Sequence, residues 1–148
     1  MDKALSDSIG FLTGRIATAL RTELEHDLSE FGVTANQWPV LLLIHHGRAS
    51  RPSEIAEALA IDRGAATRLI DRLEQKGVVS RFDDPGDLRA AKVQLTERGR
   101  TLTPVLETIV QARNEAALAE IDPAQRDVFL KALKKLDAAL HKDASSKG

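Results

Sequence analysis

The 148 residues amount to a single domain, enough to bury a core and too few for an enzyme of two substantial domains. Net charge is −1, Cys and Tyr are absent and aromatics make up 3% of residues, which excludes a disulfide framework, Cys-ligated zinc and a thiol switch within the chain and favours a mainly α fold. The opening MDKALSDSIGFLTGR has no basic stretch followed by a long apolar core, and no run of about 18 apolar residues occurs, so a soluble, cytoplasmic protein with no membrane partner is expected.

Leu5, Ile9, Leu12, Ile16 and Leu20 recur at helical spacing and predict a first helix of about five to six turns, ended near Phe31-Gly32. Thr34 is the expected cap of a second helix, with Pro39 in its first turn and Trp38, Leu41, Leu42 and Ile44 turned inward. Gly47 stops it, and Pro52 opens a short third helix over SEIAEALA. Asp62 caps a fourth, whose buried stripe is Ala66, Leu69, Ile70 and Leu73 and whose C′ glycine is Gly77. The period then becomes alternating. Val78, Val79 and Phe82 predict one strand, and Ala91, Val93 and Leu95 a second, joined through a type II turn at Asp84-Pro85-Gly86-Asp87. Thr96 caps a fifth helix to about Ala119 that bends slightly at Pro104. Asp122-Pro123-Ala124-Gln125 reads as a capping box for a sixth helix through Leu140, with a frayed DASSKG tail.

Helix, tight turn, helix, hairpin is the winged helix-turn-helix order, with residues 34–100 as its core. Residues 61–100 hold nine Lys/Arg against seven Asp/Glu in a chain that is otherwise net acidic, a weakly basic centre of the kind that can face a polyanion. With the fourth helix's apolar stripe buried, its opposite face carries Gly64, Thr67, Arg68, Asp71 and Gln75, flanked by Arg63 and Arg72. Gly64 keeps the entering end slim. Arg68 suits a bidentate guanine contact, Thr67 a base or thymine methyl, and Arg72 a phosphate. A surface helix with solvated charges shows the same pattern. Asp87 and Arg89, two apart on an extended strand, point the same way. The carboxylate can aim a guanidinium toward a narrow minor groove, although a plain surface ion pair is the simpler account.

The stretch ATRLIDRLEQKGVVSRFDDPGDLRAAKVQLTERG resembles the recognition helix and wing of the MarR family of small dimeric winged-helix transcription regulators. The TRLIDRLEQKGVVSR block, the D-x-R of Asp87-Leu88-Arg89 and the VQLTERG junction stand in the family's order and spacing. The resemblance implies a DNA-binding repressor. Leu88 stands where many relatives carry another Arg, which implies a weaker grip on DNA and a shallower salt dependence.

The apolar stripes of residues 1–30 and 101–141, notably Leu5, Ile9, Leu12 and Ile16 and then Val128, Phe129, Ala132, Leu133, Leu136 and Leu140, are too long for the winged core to cover and predict a homodimer. A two-fold dimer reads a palindromic double-stranded DNA operator. The resemblance further implies an effector cleft between dimerising helices and core, lined here by Phe11, Arg15, Gln37, Trp38 and Leu41, where an Arg beside a Trp suits a small aromatic carboxylate or phenol. Core packing is the simpler account of Trp38, and a solvated surface charge the simpler account of Arg15. A metal-responsive regulator would need convergent ligands, whereas His26, His45, His46 and His141 are scattered and adjacent His45 and His46 diverge on a helix. HExxH, G-x-S-x-G and a phosphate-binding glycine loop are lacking, and Glu25-His26-Asp27 has no spaced partner, so neither an enzyme nor a cofactor is expected. A helical protein-interaction module without DNA binding would leave Arg68 and Arg89 without a role.

Overall fold

A computed structural model describes residues 2–145. In chain order it comprises α1 (Lys3–Ser6), α2 (Ile9–Leu28), a 3₁₀ turn (Ser29–Phe31), α3 (Trp38–His45), α4 (Pro52–Leu59), α5 (Arg63–Gln75), β1 (Val79–Asp84), β2 (Asp87–Leu95), α6 (Glu97–Leu118) and α7 (Pro123–Ser145). The mainly α, winged-helix reading is borne out. Two compact units divide the chain between Arg113 and Asn114.

Local chemistry corrects the sequence reading in several places. The N-terminal helix is not continuous: Ser8 is extended and its Oγ accepts the Phe11 N–H at 3.3 Å, so a hydroxyl cap restarts the helix at Ile9. Thr34 does not cap α3. It opens a turn in which its carbonyl accepts from Gln37 and Trp38, and Gln37 occupies the cap position. The hairpin turn is not type II, because Gly86 has no positive φ. The Asp84 carboxylate instead accepts the Gly86 N–H at 3.0 Å and closes an Asx turn. The sixth helix outruns Leu140 and takes in Ser145, while Ser146, Lys147 and Gly148 of the expected frayed tail lie outside the described residues.

Elsewhere the local signals act as expected. Gly47 and Gly77 take the left-handed conformation at helix ends. Asp62 Oδ1 accepts the Ala65 N–H at 2.7 Å, and Asp122 Oδ1 accepts the Ala124 N–H at 3.0 Å. Helix α6 runs unbroken through Pro104.

The core of the first unit gathers Leu28, Val40, Leu41, Ile55, Ala66, Ile70, Leu73, Val78, Val79, Val93, Leu95 and Leu106. Each Leu, Ile or Val removed from water contributes about 1.5–3 kcal/mol. Leu69, expected in the buried stripe of α5, packs against this core while half-buried. Lys76, just past α5, donates to the Gly32 carbonyl and to the buried Gln37 Oε1 at 2.7 Å, tying the end of α5 to the approach to α3.

The strand-to-helix junction shows why the residues LTERG stand together. Thr96 donates its hydroxyl to the Gly77 carbonyl at 2.6 Å and its backbone N–H to the Val78 carbonyl at 3.0 Å, while its Oγ1 caps the Gly99 N–H at 3.1 Å. Helix α6 thereby passes so close to Val78 that a Cβ on Gly99 would collide with the Val78 carbonyl oxygen. Gly99→Ala is therefore expected to destabilise the fold by about 3 kcal/mol, at the upper end for overpacking. Urea unfolding would read this as a lower midpoint at unchanged slope, and an unchanged midpoint would contradict the close passage.

Candidate nucleic-acid interface

Helix α5 buries Ala66, Ile70 and Leu73 and leaves Arg63, Gly64, Thr67, Arg68, Asp71, Arg72 and Gln75 exposed. Arg63, Arg68 and Arg72 have no ion pair among the described residues. A Gly64 Cβ would stand 3.3 Å from Arg68 Nη1 and 3.2 Å from Asp62 Oδ1, so the glycine gives Arg68 room to lie back along the helix toward its N-terminus. Arg68 and Arg72 share a groove of about 440 Å³ with Arg21 of α2, over a floor of Pro39, Leu59, Ile61 and Leu69. Arg21 escaped the sequence reading because helical periodicity carries no information about which side chains meet across elements.

The wing is antiparallel, with Val79 opposite Leu95, Arg81 opposite Val93 and Asp84 opposite Asp87, and an irregularity between Phe82 and Asp84 where Asp83 of β1 stands against residues 88–91 of β2, so that the surplus lies on β2. Three attachments fix it to the helices. The Val93 N–H donates to the Ser50 carbonyl at 2.7 Å. Arg81 reaches back to α5, donating to Asp71 Oδ1 at 2.6 Å and Glu74 Oε1 at 2.8 Å, while its backbone N–H donates to Glu74 Oε2 at 3.0 Å. Burial opposes its charge, but the hydrogen bond and charge of Asp71, then Glu74, outweigh it and raise its pKa above the ordinary guanidinium value. The third attachment is an ion pair between Arg51, just before α4, and Asp87.

Asp87 and Arg89 meet as expected from their spacing: Arg89 Nε donates to Oδ1 and Nη2 to Oδ2, both at 2.8 Å. The Asp87 side chain is 16% exposed and that of Arg89 83%, so a sheltered carboxylate holds the base of an outward guanidinium. Leu88 between them is exposed. Arg51 and Glu54 were missed. Glu54 accepts the backbone N–H groups of Ser50 at 2.7 Å and Arg51 at 3.1 Å, and Arg51 Nη1 at 3.2 Å. A Glu two residues after Pro52 was the available signal, since an acid in the first turn satisfies free N–H groups. At the wing turn, Lys92 pairs with Asp84 and, ahead of the Gly86 N–H, pushes the Asp84 pKa down.

The five residues expected around an effector do not share one opening. Phe11 and Arg15 line a shallow groove on α2 with Gly14, Thr18 and Ala19, the Arg15 guanidinium lying 5.6 Å from the Phe11 ring centroid. Trp38 lines another, beside Leu42, Leu43 and His46. Gln37 and Leu41 are buried in the core, where the Gln37 amide oxygen already accepts from Thr34 and Lys76. Periodicity assigned a face to each helix but could not show how deeply α3 sinks. Among the described residues no group of three or more His, Cys, Asp or Glu could hold a metal ion, and His46 bonds Glu107 at 2.8 Å.

Residues 33–91 match the model of the MarR family. That stretch takes in α3, α4, α5, β1 and the first part of β2, the winged-helix portion of the fold. A putative MarR-family regulator from Listeria monocytogenes, solved with 26mer DNA, is 25% identical over 93% of this chain and 91% of that chain, with a TM-score of 0.85. A mutant MarR from E. coli, solved with operator DNA, is 29% identical over 86% and 92% of the two chains, with a TM-score of 0.79. CouR from Rhodococcus jostii RHA1, bound to p-coumaroyl-CoA, is 26% identical over 91% and 95%, with a TM-score of 0.80. No helix among the described residues is long and apolar enough to cross a membrane.

The Ser50 N–H is the largest influence holding the Glu54 pKa below its ordinary value. A depressed carboxylate stabilises the fold fully above its unfolded pKa of about 4.3 and loses that contribution as pH falls through the lower folded value. Glu54→Gln should therefore narrow its stability gap to the parent protein on acidification below about pH 4.5. Urea midpoints of both proteins across this range would show it, and a gap independent of pH would contradict the carboxylate's role.

Proposed function

We propose that the chain is a sequence-specific, ligand-responsive repressor that acts in the cytoplasm as a homodimer on a palindromic double-stranded DNA operator. The observation that carries the reading is the pairing, within one compact unit, of an exposed helix face whose Arg63, Arg68 and Arg72 have no ion pair among the described residues and which also bears Thr67, with a wing whose Arg89 is held by Asp87. The first suits the major groove and the second the minor groove. The DNA complexes of the Listeria and E. coli proteins support it.

Assembly through the terminal helices is supported by what they leave exposed: Leu5, Ile9, Leu12, Ile16 and Leu20 toward the N-terminus, and Val128, Phe129, Leu130, Leu133 and Leu140 on α7. A second copy covers such stripes, and two-fold symmetry then sets two α5 helices on half-sites roughly 34–36 Å apart. The effector is a small aromatic or phenolic anion, drawn to Arg15 beside Phe11, and p-coumaroyl-CoA on CouR is an aromatic precedent. It acts by favouring a dimer with the wrong half-site spacing.

A mobility shift with the duplex upstream of the chain's own gene, against random duplex at matched salt, tests the reading, and equal affinity for both would overturn it. Arg68→Ala should relax base preference at one position, costing about 1–3 kcal/mol on the specific site, whereas Arg72→Ala should weaken specific and random duplexes alike. Equal losses for both variants on both DNAs would contradict the assignment. Leu133→Asp places a charge in the apolar stripe and should yield monomers that no longer bind the operator. Light scattering reports the mass, and an undisturbed dimer would move the interface elsewhere.

A further inference from the structure

The contact that orients Arg89 has a second cation behind it. Arg51 is 20% exposed and spreads its fork between two carboxylates, Nη1 to Glu54 Oε1 at 3.2 Å and Nη2 to Asp87 Oδ2. Its buried Nε has no hydrogen-bond partner among the described residues, and the guanidinium is held through its two terminal nitrogens. Glu54 is itself fixed by the Ser50 and Arg51 N–H groups. A chain of contacts thus runs from the first turn of α4 through Arg51 and Asp87 to Arg89 near the wing tip.

We propose that Arg51 is a positioning residue for DNA binding: it anchors the Asp87 carboxylate, and the anchored carboxylate aims Arg89. The inference rests on the DNA-binding reading and extends it. An ion pair to a largely exposed Arg is worth little by itself, because two flexible side chains must be ordered to form it. With Asp87 already immobilised on its sheltered side, only Arg89 loses freedom when the bidentate pair closes. Arg51 therefore acts on DNA through Arg89, by geometry, and not through its own charge.

Arg51→Met, Arg51→Lys, Arg89→Ala and the double variant Arg51→Met/Arg89→Ala test this on a duplex selected by the parent protein from a random-sequence pool, with circular dichroism confirming each fold. Arg51→Met is expected to weaken binding roughly fivefold, and the double variant to bind no more weakly than Arg89→Ala alone, because both changes remove the same contact. Lysine keeps the charge but cannot fork between Glu54 and Asp87, so Arg51→Lys should fall close to Arg51→Met. Parental affinity for Arg51→Lys, or independent losses in the double variant, would overturn the proposal in favour of simple charge attraction. A second readout needs no DNA. The Arg89 Nε–Hε resonance of the free protein should exchange slowly with solvent in the parent and rapidly in Arg51→Met, and equal exchange would overturn the relay. If no duplex is selected from the pool, the DNA-binding reading fails while the resonance still decides whether Arg51 orders Arg89.

Discussion

A two-stranded hairpin has no core of its own and is at best marginally stable alone in water, so the wing is only as well placed as its attachments make it. Those attachments are ionic as well as hydrophobic. Val79, Val93 and Leu95 seat the base of the hairpin in the core, Arg81 ties it to α5 through Asp71 and Glu74, and Arg51 ties it to the start of α4 through Asp87. Helix α5 and the wing are thereby held at a fixed separation, which the proposed reading of two adjacent grooves requires.

The same arrangement accounts for how a chain of net charge −1 could bind DNA as proposed. Asp71, Glu74, Asp84 and Asp87 lie close to that surface, yet each is paired with Arg81, Lys92, Arg51 or Arg89. Arg63, Arg68 and Arg72 are not so paired among the described residues. Carboxylates are used to set geometry, and the cations left over carry the field. Net charge therefore says little about binding here; the local placement of pairs says more.

The winged order, the capping of α5 and the Asp87-Arg89 pair were legible in the sequence because each depends on neighbours within a few residues. Apolar spacing from Leu5 to Leu20 continues across Ser8 and by itself implies one helix, but the Ser8 hydroxyl competes with that period by capping a new one. Gly86 looked like a type II residue from the Pro-Gly pair, but the Asp84 carboxylate supplied another way to close the turn. Arg51, Arg21 and the burial of Gln37 depend on contacts spanning tens of residues, such as the 36 that separate Arg51 from Asp87, and no local pattern encodes them.

The central claim is that charge at the wing serves position, and Asp87 puts the two effects in opposition. Asp87→Ala removes a negative charge near DNA, which by Coulomb's law alone should tighten binding, and also removes the group that aims Arg89, which should loosen it. Operator affinity measured across a salt series, with circular dichroism showing an intact fold, separates them. Placement predicts weaker binding across the series, because Arg89 keeps its charge but loses the group that aims it. Tighter binding at every salt concentration would contradict it.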